Sequence, residues 1–199
     1  MRLRRELLAA AFLFVLHTAA SAQSLEIGGH VASSQWGEFD GTDIGVGARV
    51  TFKPVPLIGV DAELTWYPGD FPPDGIPFSR GRMEGMFGAT VGPRMTGFRP
   101  FVKAAGGFLN ITPTDRPFPC IAIYPPPLSC QMASGDTLPA FELGGGVELD
   151  ATARTFIRAD VTARLLKYPG PTLDRDFERH DDAFFAGALR FTIGGGFRF

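Results

Sequence analysis

The last seventeen residues, 183–199, constrain this chain more than any other stretch. Every second residue back from the end gives Phe199, Phe197, Gly195, Ile193, Phe191, Leu189, Gly187 and Phe185. The interleaved set is Arg198, Gly196, Gly194, Thr192, Arg190, Ala188, Ala186 and Phe184. One face is apolar and aromatic, while the other is small and carries two arginines. A period of two defines an extended strand. The run is too long for an ordinary globular edge, and a tilted strand crosses a bilayer with about 9–11 residues.

The same alternation recurs upstream. Residues 25–34 set Leu25, Ile27 and Val31 against Glu26 and His30. Residues 42–53 set Ile44, Val46, Val50 and Phe52 against Asp43, Arg49 and Lys53. Residues 57–67, 81–92, 100–110, 137–150 and 155–166 repeat the pattern, and the tail makes an eighth strand. In 100–110 the faces contrast little, so Lys103 sets the parity by pointing inward. Prolines at 54 and 56 cannot supply ladder donors, which predicts a turn over 54–56. Short turns also fall near 94–99 and 150–154; the connections on the other side are mostly long, a short loop at 35–41 and longer ones at 68–80, 111–136 and 167–182. Alternating short and long connections mark an even-stranded, all-β, antiparallel up-and-down barrel spanning a membrane. Closure leaves no exposed edge. Strand-end aromatics predict two interfacial girdles: Phe52, Phe101, Phe156, Phe197 and Phe199 on the short-turn side, Trp36, Trp66, Tyr168 and Phe185 on the other.

The amino terminus reads as an address. Arg2, Arg4 and Arg5 precede an apolar run from Leu7 to Leu16 and a small-residue site at Ala20-Ser21-Ala22. That is a cleavable signal peptide over residues 1–22, with the barrel domain at 23–199. The apolar run is too short for a membrane anchor, which needs about 18 residues or more. The formal net charge of −2 leaves no footprint for nucleic acid. Cys120 and Cys130 flank a proline-rich segment of an exported chain, where a disulfide is the default. Their spacing matches no metal or redox motif.

With these features in place, the chain resembles the OmpA/OmpX-type small outer-membrane barrels over essentially its whole exported length. The strand ending on Phe197 and Phe199 resembles the signal through which such barrels are inserted. The resemblance implies a bacterial outer-membrane location and contact with lipid and lipopolysaccharide. It also implies recognition of the last strand by the barrel-assembly machinery. No peptidoglycan-binding domain follows the barrel, unlike in the two-domain members.

Parity also places charge inside. The inward acids are Glu26, Asp43, Asp61, Glu63, Glu84, Glu142, Glu148 and Asp160. The inward bases are Arg49, Lys53, Arg82, Lys103, Arg158, Arg164, Arg190 and Arg198. Eight strands leave an interior just wide enough for side chains to fill. Equal numbers of acids and bases therefore predict a salt-bridged plug, with a narrow channel for small ions as the alternative. A surface lipid-modifying enzyme is a further alternative, and a soluble lipocalin-like barrel would reverse the parity. Catalysis needs a nucleophile, a base and an acid on one face. His30 faces inward and Ser33 outward, and His180 lies in a solvated loop, so no catalytic, cofactor or metal site is predicted. The remaining candidate surface is the loops, where Phe71, Ile76, Phe78, Phe118, Ile121, Ile123, Tyr124 and Leu128 sit among prolines. There they would either bind an extracellular ligand or pack over the barrel mouth.

Overall fold

The computed structural model describes residues 23–39, 41–72, 77, 79–114 and 119–199. The signal-peptide segment and the loop residues Ile76, Phe78 and Phe118 lie outside them. Eight long strands carry the fold: β1 (Ser24–Trp36), β2 (Thr42–Val55), β3 (Ile58–Phe71), β4 (Ser79–Val91), β5 (Phe98–Ile111), β6 (Asp136–Asp150), β7 (Thr155–Tyr168) and β10 (Phe184–Arg198). A short helix, α1 (Leu128–Ala133), precedes β6. Two-residue strands β8 (Thr172–Leu173) and β9 (Arg179–His180) pair within the last loop.

The long strands close in the order β1-β10-β7-β6-β5-β4-β3-β2, with every neighbour antiparallel. The seam joins β1 to β10 from Glu26↔Arg198 to Trp36↔Ala188. Beyond the last ladder pair, Leu25 and Phe199 exchange backbone hydrogen bonds of 3.2 and 2.9 Å. With both ends of the sheet paired, every strand finds its ladder partners inside the chain.

Period two decides what faces where. Val102, Leu143, Phe87 and Ile193 are exposed on the outer wall, and Lys103 is buried inside, as its parity requires. In water such an apolar wall would be costly; in hydrocarbon it is the stable arrangement.

Two expectations need correction. Pro54 lies within β2 and the turn is Pro56-Leu57. Pro54 sits at a register shift, just past the last β1 pair, where no ladder donor is required. Of the girdle aromatics, Trp66, Phe52, Phe185, Phe197 and Phe199 face outward, but Trp36, Phe101, Phe156 and Tyr168 are buried inside. Each shares parity with an inward polar residue of its own strand: Ser34, Lys103, Arg158 and Arg164 respectively. Strand geometry outranks the preference of an aromatic for the interface.

The inward aromatics at the loop end join a cap. Trp36, Phe39, Phe71, Leu109, Ile111 and Tyr168 pack with Leu128 and Met132 of α1. Leu128 and Met132 are four apart, so one helical face meets the mouth. The Gln131 amide donates to the Pro171 carbonyl at 2.7 Å, and the Leu173 amide to Pro126 at 3.1 Å. The Thr172 hydroxyl adds a 3.0 Å bond to the same Pro126 carbonyl. A disulfide ties Cys130 of α1 to Cys120. Phe71 and Leu128, read above as loop contact residues, are therefore part of this apolar lid. Ile121, Ile123 and Tyr124 remain exposed at the stapled tip.

Candidate functional site

The lumen is the most chemically distinctive feature, and its charges stack in layers along the barrel axis. At the short-turn end, Lys53 Nζ lies 2.7 Å from Glu26 Oε1 and 2.8 Å from Glu148 Oε1. Arg198 reaches the same two carboxylates at 2.6 and 2.7 Å, and Asp150 at 2.9 Å. Above them, Arg158 bonds Asp61 at 2.8 Å and Asp160 at 3.1 Å, and Arg49 reaches Asp160 at 3.2 Å.

Glu63 organises the middle. Its Oε1 accepts from Arg49 Nε and Lys103 Nζ, both at 2.8 Å, and its Oε2 from Arg190 Nη1 at 3.2 Å. Glu142 accepts from Arg164 at 3.0 Å and Arg190 at 3.2 Å, and lies 3.3 Å from Lys103 Nζ. Glu84 lies 2.8 Å from Arg164 Nη2. Below the cap, Arg82 pairs with Asp43, and its guanidinium stands 4.2 Å from the Phe71 ring centroid. Each inward carboxylate thus meets at least one cation, and several pairs span the barrel from wall to wall. The charges are paired, as a low-dielectric interior requires, while single atoms of the network, such as Arg164 Nη1, Arg158 Nη1 and Asp160 Oδ1, have no hydrogen-bond partner.

Glycine makes room for this filling. A Cβ on Gly47 would stand 2.6 Å from His30 Nε2, and one on Gly45 would stand 2.7 Å from the Tyr67 ring. Residues without side chains on one wall admit long ones from another.

One buried base was not anticipated. Arg99, placed by sequence in a turn, is the second residue of β5 and points inward. Its Nε donates to Gly92 O and its Nη2 to Leu57 O, both at 3.2 Å. It thereby ties two short turns together. Its parity with Phe101 and Lys103 was the available signal.

The residues weighed for catalysis stay apart. His30 is buried in the lumen with Nε2 2.9 Å from Thr65 Oγ1, while Ser33 sits on the opposite face of β1. In the last loop, ligand atoms of Asp174, Glu178 and His180 lie within 4.8 Å of one another. His180 Nε2 is 2.9 Å from Asp174 Oδ2, so this nitrogen carries the proton donated to the carboxylate. Partial burial pushes the Asp174 carboxyl up, but the His180 bond and the Glu178 and Asp176 amides more than offset this and hold it below its ordinary range. Glu38, in the first loop, goes the other way, raised mainly by burial.

A closed barrel with an apolar exterior and a charge-paired interior is a membrane-spanning β-barrel. With eight antiparallel strands it has the architecture of the small OmpA/OmpX-type outer-membrane barrels. The chain is similar in fold to Ail of Yersinia pestis, solved in complex with the heparin analogue sucrose octasulfate (12% identity, TM-score 0.47, 89% of this chain and 99% of that one). It is likewise similar to Neisserial surface protein A (10%, 0.47, covering 88% and 95%) and to OprG of Pseudomonas aeruginosa (12%, 0.46, covering 89% and 96%). No family model matches the sequence, and no curated protein is matched by it.

Proposed function

We propose that this protein is exported through its 1–22 leader to a bacterial outer membrane, where it is a closed, non-catalytic barrel that works through its outer surface. In this reading the lumen charges are a structural plug. The observation that carries it is the run of ion pairs along the lumen, from the Glu26–Lys53 layer to the Arg82–Asp43 pair beneath the apolar cap. A conducting filter instead needs sites that an ion can enter and leave.

The interacting surface is the loop cap. Ile121, Ile123 and Tyr124 are held outward on a segment stapled by the disulfide and hydrogen-bonded to the last loop. Pre-ordering of this kind lowers the entropy lost on binding an extracellular ligand. Phe197 and Phe199, exposed on the short-turn side, serve as the insertion signal for the barrel-assembly machinery. The outer wall contacts lipid, and the loop end lies at the level of lipopolysaccharide.

The mature chain refolded in detergent should run as a heat-modifiable band with strong β-type circular dichroism. In planar bilayers it should then give no discrete current steps. Reproducible single-channel openings would replace the plug by a narrow ion pore. Equal folding in plain buffer would overturn the membrane reading altogether.

A further inference from the structure

The last loop carries a patch that neither the plug nor the apolar cap explains. Residues 169–183 hold five aspartates and glutamates against Arg175 and Arg179, a net charge of −3 with His180 neutral. Arg179 is taken by Asp181 at 2.6 Å. Asp176, Glu178 and Asp182 are exposed, and their carboxylates have no ion-pair partner among the described residues. Alone they would be an ordinary solvated rim. Phe177 stands in their midst, 72% exposed and with φ at +62°. The left-handed region disfavours a bulky side chain, and glycine is the residue it suits. The turn itself is made without the ring. The Phe177 amide donates to Asp174 O at 3.2 Å, and the Asp176 and Glu178 amides to Asp174 Oδ1 at 2.9 and 2.8 Å. Neither the turn nor a core accounts for a phenylalanine here.

The β8–β9 hairpin that holds Phe177 is braced, and the apolar tip is tied to it. The His180 ring stacks on Phe184 with centroids 3.9 Å apart, and the Leu173 amide and Thr172 hydroxyl both donate to Pro126 O. Tyr124, 78% exposed, lies two residues from Pro126, and Phe177 lies four residues from Leu173. Followed along the chain, Tyr124 and Phe177 are therefore no more than about 28 Å apart. An extended segment of about nine residues covers that span.

We propose that the hairpin and the tip together dock a basic segment of another protein, one in which lysine or arginine is interspersed with apolar residues. A cation of that segment lies over the Phe177 ring, flanked by the Asp176 and Glu178 carboxylates, and its apolar residues meet Ile121, Ile123 and Tyr124. The proposal rests on the outer-surface reading above and names the chemistry of the partner. Charge complementarity selects this occupant, because unpaired carboxylates draw cations and repel a sulfated glycan or any other polyanion. The exposed ring face adds a cation–π contact. A second copy would set two acidic patches against each other. A metal ion fits less well, since Asp174 Oδ1 already accepts from two amides and Oδ2 from His180.

The test is fluorescence anisotropy of a labelled peptide of about nine residues, alternating lysine with leucine, on the folded barrel in zwitterionic detergent. The peptide should bind, with an affinity that falls several-fold from low to high salt, and its glutamate–leucine counterpart should not. Phe177→Gly should weaken binding by about two- to fivefold, the worth of one exposed cation–π contact, without loss of amide protection at Asp176 and Glu178. Asp176→Asn with Glu178→Gln should weaken it further and flatten the salt dependence. Tyr124→Ser should weaken binding of the lysine–leucine peptide but not of a lysine–serine one. Equal binding by the native chain and these variants would mean adsorption to the micelle and overturns the proposal. So does tighter binding of a sulfated oligosaccharide, or binding that requires added zinc or calcium. Loss of the heat-modifiable band in the native chain would sink the membrane reading instead.

Discussion

Arg164 on β7 and Glu84 on β4 meet at 2.8 Å although β6 and β5 separate their strands around the wall. The pair is a strut across the lumen. Arg164 also holds Glu142, and Glu84 lies 3.4 Å from Arg190, so the strut joins a continuous network rather than standing alone.

Removing one end of the strut should be expensive. Glu84→Ala leaves Arg164 with a single carboxylate and should destabilise the barrel by about 3 kcal/mol, the lower end for a broken buried pair. Replacing both ends, with Arg164→Met and Glu84→Leu, should cost less than the single change. Urea unfolding from lipid vesicles, followed by tryptophan fluorescence, measures both; a double variant worse than Glu84→Ala would contradict the strut.

Space, as much as charge, limits the interior. Gly47→Val places a side chain against His30 Nε2 and Leu64 O and should cost about 1–3 kcal/mol or more. Gly187→Val on the outer wall meets nothing within 4 Å and should be nearly neutral. The two unfolding midpoints, compared in the same vesicles, test whether the interior glycines are there for volume.

Reduction of the disulfide should loosen the cap without opening the barrel. Closing a loop of ten residues stabilises by something under about 3 kcal/mol on the chain-entropy model. With reductant, residues 119–135 should become accessible to protease while heat-modifiability persists. Unchanged cleavage would mean that Leu128, Met132 and the Gln131 bond hold the cap alone.

Acid should act on the last loop. The Asp174 carboxyl is held below its ordinary value in the folded hairpin, so its contribution is complete above an unfolded pKa of about 4. That contribution is lost as pH falls through the lower folded value. Amide exchange at Asp176 and Glu178 should accelerate below about pH 4, and Asp174→Asn should abolish this dependence.

Much of this was legible because period two is a local signal. The inward placement of Glu63, Arg158 or Arg190 needs only the residues beside them. Even strand β5, with weak contrast, could be set by Lys103. The same rule was available for Trp36, Phe101, Phe156 and Tyr168, but an interfacial preference was given precedence over parity and misplaced all four. Arg99 was hidden because β5 begins at Phe98, two residues before Pro100. The cap could not be read, since Leu128 and Phe71, more than fifty residues apart in the chain, join one apolar cluster only in the folded barrel.

The sequence by itself determined the barrel, its strand number, its parity and the sign of each inward charge, because alternation and turn residues act over a few neighbours. Only the tertiary structure decided which carboxylate meets which cation, and that α1 closes the mouth. Those depend on closure and register, which bring Glu84 to Arg164 from strands whose own sequences carry no record of their partners.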